Sequence, residues 1–182
     1  MSDSAPFLVT GRLELWRPAI SDEPQMYAVI QNPETHRFLG PMSSRADHFI
    51  RFQRGAGSWF LHGYGSFMVR LKGQPEVIGN CGVFHSYRGL GEDFDNRPEG
   101  GWILSARHVG KGIAREAMDA ALAWFDSEHG PREVVCMIEP GNDPSLVLAE
   151  KLGFKPTRMA ELPDGAAVQL FRRDPALALA LA

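Results

Sequence analysis

Residues 107–114 read Arg-His-Val-Gly-Lys-Gly-Ile-Ala, and the predicted architecture is built around them. An apolar run, Trp102-Ile103-Leu104, comes just before it, and a helix-patterned segment follows, so the pattern predicts a strand, a glycine-bearing turn and a helix. Gly110 and Gly112 have no Cβ, which allows their backbone to turn sharply and to approach a ligand closely. The first amides of a helix have no intrahelical partner, and the helix dipole adds partial positive charge beside them. The stretch therefore predicts a phosphate-binding turn.

The glycine motif alone does not identify the ligand. Arg115 stands where the dinucleotide-binding fingerprint has its third glycine, and the chain has no Gly-Lys-Ser/Thr of a P-loop. Arg107, Lys111 and Arg115 place positive charge around the turn. Two interpretations of the turn stay open: an anion-binding site, and a tight strand-to-helix connection with surface charges.

Length and composition indicate one soluble domain over residues 1–182, with 1–7 and 174–182 as flexible tails. The hydrophobic content of 44% and charged content of 23% are ordinary for a globular protein. A net charge of −3 gives no overall basic character for nucleic acid or for an anionic membrane. The sequence contains no apolar run of membrane-spanning length and no signal-peptide pattern at its start, so we expect a cytoplasmic location.

The two cysteines, Cys81 and Cys136, each lie in an apolar, strand-like run. This pattern is typical of buried thiols in a reducing compartment. It gives no support for a disulfide framework or for a metal site.

The remaining elements follow from hydrophobic periodicity and from turn residues. Strands are predicted at 10–17, 66–72, 77–85, 99–105, 133–138 and 168–172. Helices are predicted to begin near 23, 33, 45, 113 and 143, the fourth ending at 128. The glycine-rich segment 55–65 and the polar segment 86–97 predict loops, the second with Glu92, Asp93 and Asp95 exposed. Strands followed by two strand–helix units predict a mixed α/β domain.

A second block, residues 138–154, reads Ile-Glu-Pro-Gly-Asn-Asp-Pro-Ser-Leu-Val-Leu-Ala-Glu-Lys-Leu-Gly-Phe. Arg107-x-x-Gly110-x-Gly112 followed by Asn142-x-x-Ser145 and Lys151-Leu152-Gly153-Phe154 resembles the GNAT superfamily of acyl-CoA-dependent N-acetyltransferases. Two further motifs are similar to its ribosomal-protein N-terminal acetyltransferase (RimJ/RimL-like) branch: Arg12-Leu13-x-Leu15-x-Arg17-Pro18 and Asn32-Pro33-Glu34…Arg37-Phe38-Leu39-Gly40. The resemblance covers about residues 8–172.

The resemblance implies an α/β (α+β) fold with a mostly antiparallel central sheet, a splayed strand pair and flanking helices. It implies acetyl-CoA as co-substrate and no metal. The implied cofactor-binding residues belong to the strand backbone, the turn and the next helix start: Ile103, Leu104, Ser105, Arg107, Val109, Gly110, Lys111, Gly112, Ile113, Ala114, Asn142 and Ser145. For Asn142 and Ser145 the alternative is a helix N-cap, which uses the same residue types.

Acetyl transfer to nitrogen needs a neutral amine and therefore a base. Glu99 is the first candidate, because the resemblance places a catalytic glutamate at the start of this strand; a solvated strand-end carboxylate is the alternative. His85 is the second candidate, since histidine titrates near neutral pH, and a packed or surface histidine is its alternative. Many relatives carry a tyrosine as general acid where this chain has Ala149. Here Ser145 or solvent could protonate the leaving thiolate, or the thiolate could leave unassisted because it is a modest base.

The implied function is direct transfer of the acetyl group of acetyl-CoA to a primary amine, either a protein N-terminus or a small-molecule amine. The alternative is a catalytically weak module that binds or senses acyl-CoA, and a third hypothesis is a dinucleotide-binding oxidoreductase. The expected partner is the amine acceptor, with no nucleic acid and no membrane, in a monomer or homodimer. The fold does not choose among acceptors.

Overall fold

A computed structural model describes residues 5–175 of the chain. The strands of this part are β1 (Leu8–Val9), β2 (Leu13–Trp16), β3 (Ser66–Leu71), β4 (Val77–His85), β5 (Pro98–Leu104), β6 (Val134–Ile138), β7 (Phe154–Glu161) and β8 (Ala167–Arg173). The helices are α1 (Glu23–Gln31), α2 (Pro33–His36), α3 (Arg45–His62), α4 (Ile113–His129) and α5 (Asp143–Lys151). Short 3₁₀ turns at Ile20–Asp22 and Ala106–His108 precede α1 and the glycine turn.

The strands form one open sheet in the order β1-β2-β3-β4-β5-β6-β8-β7. All neighbours are antiparallel except β5 and β6, which run parallel and are joined through α4. The expected mixed α/β fold with a mostly antiparallel sheet is therefore confirmed.

The parallel pair is splayed. β5 and β6 pair at one register position, Glu99 opposite Val135, whereas β4 and β5 pair at seven positions. Beyond Glu99 the β6-facing edge of β5 has no strand partner in the described chain. The sheet is thus open at the end of β5 that leads into the glycine turn.

Apolar clusters cover both faces of the sheet. Val134 and Cys136 of β6 belong to the cluster that α4 and α5 cover, and Val135 belongs to a cluster on the opposite face. Met118 and Phe125 of α4 have no exposed surface in the first cluster. A third cluster packs α1 against β3 and β4. Because helices lie on both faces, the strands near the opening are held in place from both sides.

The packed part of the chain begins nearer to the amino terminus than the sequence predicts. Phe7 lies within the predicted tail 1–7, but its ring contacts Trp59, Phe67 and Trp124 at centroid distances of 5.2 to 5.5 Å. Residues 1–4 and 176–182 of the two predicted tails lie outside the described residues. The packed chain therefore includes Phe7.

Segment 55–65 is helical up to His62, so the loop prediction for it is wrong there. Ser44 caps α3, and its hydroxyl oxygen accepts a hydrogen bond from the amide of Asp47. The helix ends at Gly63, whose φ of 77° suits glycine. The glycines inside α3 lower its intrinsic stability, but packing of Trp59 on the core offsets this.

Two other details differ from the sequence pattern. β7 is an edge strand for which no strand is predicted, and it tolerates Pro156 because an edge strand needs donors on one side only. In the segment 86–97, Asp95 is buried although the pattern predicts it exposed. Its carboxylate accepts the amides of Arg88, Gly89 and Gly91, which folds the loop around it.

Both cysteine thiols are free and buried, as predicted. Burial raises the pKa of both thiols, and for Cys136 the nearby charge of Glu99 adds to the effect. Within the described residues no helix is long and apolar enough to cross a membrane.

Candidate functional site

The glycine turn presents a run of unpaired amides. His108 and Val109 donate their amides to Ser105 and Ala106, and the first helical bond of α4 runs from the Glu116 amide to the Gly112 carbonyl. Between them, the amides of 110–115 donate no hydrogen bond to any described residue. Successive free N–H groups at a helix start form an anion-binding concavity.

Glycine is required at two positions of this turn. Gly110 and Gly112 have φ angles of 78° and 73°, in the left-handed region where a side chain is strained. Gly112 is also the N-cap of α4, so its conformation sets the direction in which the helix leaves the turn. The predicted strand, turn and helix are confirmed in position and in order.

Positive charge around the turn comes from Arg107 and Lys111, both of which are exposed. Arg115 is exposed too, but its Nε pairs with Asp119 Oδ2 at 2.6 Å. His108 adds no charge at neutral pH, because burial, followed by the charge of Lys111, lowers its pKa. The turn therefore combines free amides with two basic side chains.

The backbone just before the glycine turn is hydrogen-bonded to α2. The amide of Ala106 donates to Thr35 Oγ1 at 3.0 Å, and Asn32 Oδ1 caps α2 by accepting the amides of Glu34 and Thr35. His36 joins the two ends of this segment, since its ring nitrogens lie 2.9 and 2.8 Å from the carbonyl oxygens of Ile30 and Gly40. The segment 32–40 therefore buttresses the turn.

The register of β5 defines which backbone groups face the opening. Ser105 donates its amide to Ile78 of β4 at 2.8 Å. Because alternate residues of a strand direct their peptide groups to opposite edges, Ile103 also pairs towards β4. The N–H and C=O groups of Trp102 and Leu104 are directed to the splayed edge.

Ser145 and Asn142 lie across the opening from β5. Trp102 Nε1 donates to Ser145 Oγ at 3.2 Å, which connects β5 with the first turn of α5. Asn142 is the N-cap of α5, with its Oδ1 3.4 Å from the Ser145 amide. The capping alternative for Asn142 is thus observed, and its side-chain NH₂ is left for another partner.

Glu99 lies at the closed end of the splay, where β5 still pairs with β6. It is 3% exposed, and both carboxylate oxygens contact Arg88, through Nε and Nη2, at 2.7 Å each. The Ser86 hydroxyl donates to the same carboxylate. The alternative of a solvated strand-end carboxylate is therefore wrong.

His85 lies at the far end of β4, opposite Pro98. Its Nδ1 is 3.1 Å from Tyr64 Oη, its Nε2 is 3.0 Å from Asn96 Oδ1, and its ring stacks on His62 at 4.0 Å. Both ring nitrogens thus have protein partners.

The structure gathers most of the predicted site residues and leaves two apart. The glycine turn, Leu104, Asn142 and Ser145 surround the open end of the splay, and Glu99 and His85 lie towards the other end of β5 and β4. Sequence reasoning did not assign Trp102 or Thr35 to the site. Their contacts depend on strand register and on α2 docking, and no local motif reports either.

Comparisons with known proteins agree with this geometry. The family model of the acetyltransferase (GNAT) domain matches residues 12–155. The uncharacterized protein YkkB of Bacillus subtilis (strain 168) is 30% identical over 155 residues, covering 81% of this chain and 84% of YkkB.

Two solved structures have the same architecture. A protein from Bordetella pertussis assigned to the GnaT acetyltransferase family superposes with a TM-score of 0.81 at 33% identity, covering 91% of this chain and 98% of that one. RimL, a ribosomal L7/L12 alpha-N-protein acetyltransferase in complex with coenzyme A, has a TM-score of 0.68 at 18% identity, covering 92% and 96%. At that identity the likeness to RimL concerns the fold alone.

Proposed function

The chain belongs to the GNAT acetyltransferase family, whose co-substrate is acetyl-CoA, and on that premise we propose that it transfers the acetyl group directly to a primary amine. The acceptor is a protein N-terminus or a small-molecule amine. At pH 7 about one in ten α-amines is neutral, against about one in 2,500 lysine side chains, so an α-amine is the less demanding acceptor. RimL, named for α-N-acetylation of a ribosomal protein, shares the fold.

The observation that carries the proposal is the run of free amides at 110–115 beside the free edge of β5. The amides fit a diphosphate, and Arg107 and Lys111 add charge for it. Charge-assisted hydrogen bonds are worth about 1.5–3 kcal/mol each, so a few of them suffice for binding at micromolar concentration. Acetyl-CoA supplies the activated thioester.

The splayed edge supports binding of the pantetheine arm as an added strand. Trp102 and Leu104 direct their backbone groups to this edge, so we assign the arm to them rather than to Ile103 and Ser105, which pair with β4. Asn142 faces the same opening from the start of α5 and offers its side-chain NH₂. The amide of Leu104 or Trp102 would also stabilise the negative charge that develops on the acetyl oxygen.

Glu99 is the better placed of the two candidate bases. It lies three residues from Trp102 on the same strand, which is about 10 Å, so a water or the amine itself bridges the gap at the closed end of the splay. His85 lies one strand further away, on β4 opposite Pro98 at the start of β5, and its ring nitrogens already contact Tyr64 and Asn96. We therefore assign the base to Glu99, with Arg88 fixing its orientation.

Ser145 is the candidate acid for the leaving thiolate. Its oxygen accepts the Trp102 indole hydrogen, which leaves its own O–H free to donate into the opening. Ala149, where many relatives carry a tyrosine, is completely buried. The missing tyrosine favours the second candidate function, a module that binds acyl-CoA and turns it over weakly.

A turnover assay with peptide acceptors tests the proposal. The purified protein is given acetyl-CoA and a panel of amines, including a peptide with a free N-terminus and the same peptide with its N-terminus blocked and its lysine retained. We expect thiol release with the free peptide or with a small amine, and none with the blocked peptide. Coenzyme A binding by calorimetry without thiol release on any amine would instead support the sensing module.

The cytoplasmic location stays a prediction. The two buried free thiols support it, because unpaired cysteines are typical of reducing compartments.

A further inference from the structure

Arg12 connects the amino-terminal hairpin with the glycine turn. It is the last residue of the short connection between β1 and β2, which form this hairpin, and its side chain reaches the start of α4. Arg12 Nε pairs with Glu116 Oε2 at 2.6 Å, and Arg12 Nη1 donates to the carbonyl oxygen of Lys111 at 2.9 Å. One guanidinium therefore binds α4 and the turn at the same time.

Glu116 holds this guanidinium in place. Its Oε1 accepts the Arg12 amide at 2.9 Å and the Thr10 hydroxyl at 2.5 Å, so the carboxylate receives three donors from the hairpin. Burial opposes its ionisation, but the hydrogen bonds from Thr10 and Arg12 outweigh burial and lower the pKa of Glu116. The anchor is thus charged at neutral pH and fixed by several contacts, unlike an isolated surface ion pair.

The contact with Lys111 sets the direction of an amide in the predicted diphosphate site. The peptide bond between Lys111 and Gly112 is planar and trans, so its C=O and N–H point in opposite directions. Because Arg12 holds the carbonyl on the hairpin side, the Gly112 N–H is turned away from the hairpin. Gly112 needs such a restraint, since glycine has the largest backbone freedom of any residue.

We propose that Arg12 is a positioning residue for the diphosphate of coenzyme A: it holds the Lys111–Gly112 peptide so that the Gly112 amide and its neighbours converge on the phosphates. This inference rests on the proposed function. It gives a role to Arg12, the first residue of the Arg12-Leu13-x-Leu15 motif, for which the sequence alone indicates none. The effect of Arg12 is therefore specific to ligands that carry a diphosphate.

The test compares a donor with a diphosphate and a donor without one. kcat/KM is measured for acetyl-CoA and for S-acetylpantetheine with wild type, Arg12→Gln and Arg12→Lys, and the Kd of coenzyme A is measured by calorimetry. We expect Arg12→Gln to lower kcat/KM for acetyl-CoA and to weaken coenzyme A binding by about tenfold or more, with S-acetylpantetheine nearly unchanged. Arg12→Lys keeps charge beside Glu116 but has no fork to reach both partners, so we expect an intermediate loss.

Arg97→Gln is the matched control, because Arg97 is also partly exposed and also pairs with a glutamate, Glu133, away from the turn. Arg97→Gln should leave the ratio of kcat/KM for acetyl-CoA to kcat/KM for S-acetylpantetheine unchanged. Equal losses for both donors in Arg12→Gln, or equal Kd values in wild type and both Arg12 variants, would overturn the proposal. If wild type binds coenzyme A but transfers no acetyl group, the proposed function fails, and the Kd comparison still decides the role of Arg12.

Discussion

The indole Nε1 of Trp102 donates a hydrogen bond to the hydroxyl oxygen of Ser145 across the splay of the sheet, at 3.2 Å. The bond joins β5 to α5 at the place where β5 and β6 no longer pair. It fixes the Ser145 oxygen as an acceptor, and the hydroxyl hydrogen is left to point elsewhere. A residue of the strand thus orients a candidate acid on the facing helix.

Ser145→Ala and Trp102→Phe separate the acid from the bond that orients it. Ser145→Ala removes the hydroxyl, and we expect kcat to fall by about tenfold or more with little change in KM for acetyl-CoA, since proton transfer contributes only in the transition state. Trp102→Phe keeps the hydroxyl and should cost less in kcat. Steady-state kinetics at saturating amine measure both; equal losses in the two variants would contradict an acid role.

The glycine turn could be predicted from sequence because its conformation depends on residue type. Gly110 and Gly112 both adopt positive φ, as glycine readily does, and the first amides of a helix have no intrahelical partner. The partners of the turn could not be predicted in the same way. Arg12 and Thr35 reach it from positions about 100 and 70 residues earlier in the chain, and only the packed fold brings them there.

The errors in the predicted fold have similar causes. Gly55 and Gly57 favour a loop by propensity, but α3 continues because Trp59 packs against Phe7 and Phe67. Gly65, just after the helix, leaves the room that the Trp59 ring fills, since a Cβ there would lie 2.5 Å from it. Contacts with residues distant in the sequence determine the conformation of this segment, and the local sequence pattern does not indicate such contacts.

Glu99→Gln tests the proposed base. At pH 7 we expect Glu99→Gln to lower kcat/KM by about a hundredfold. The difference in kcat/KM between variant and wild type should become smaller as pH rises above the pKa of the acceptor amine, because a neutral amine needs no base. A pH–rate profile from 6.5 to 10 measures this. Ser86→Ala removes one donor to Glu99 but keeps the carboxylate and Arg88, so it should keep most of the rate. A ratio of wild-type to variant kcat/KM that is constant with pH would show that Glu99 acts only by holding Arg88 and the segment 86–97 in place.

Gly112→Ala tests the turn, with Gly165→Ala as its control. Both glycines have positive φ, 73° and 87°, and neither added methyl group would clash, since the nearest atom at Gly112 is 3.5 Å away and nothing lies within 4 Å at Gly165. Both variants should lose about 1–2 kcal/mol of unfolding free energy through backbone strain alone. Only Gly112→Ala should weaken coenzyme A binding, by about tenfold or more, as calorimetry can show. Equal coenzyme A affinity in both variants would exclude the turn as the diphosphate site.

His48 makes stability depend on pH at a place away from the glycine turn. It is 4% exposed between Tyr27 and Phe52, and neither ring nitrogen has a hydrogen-bond partner within the described residues. Burial lowers its pKa; the charge of Glu23, 3.5 Å away, opposes this in part, and Arg45 and Arg51 add to the lowering.

Because the pKa of His48 is lower in the native state than in the unfolded state, the unfolded state binds more protons as pH falls below about 6.5. The stability contributed by neutral His48 is therefore present above that pH and is lost as pH falls through the native pKa. His48→Phe keeps an aromatic ring and removes the titrating group. In urea unfolding at pH 7.5, 6.5 and 5.5, the free energy of unfolding of the variant should rise relative to that of wild type as pH falls, by at most about 1.4 kcal/mol per pH unit. Since His48 lies on α3 and packs against Tyr27 of α1, away from the glycine turn, coenzyme A binding at pH 7.5 should not change. Parallel pH dependences of the two proteins would show that protonated His48 is accommodated by Glu23 in the native state.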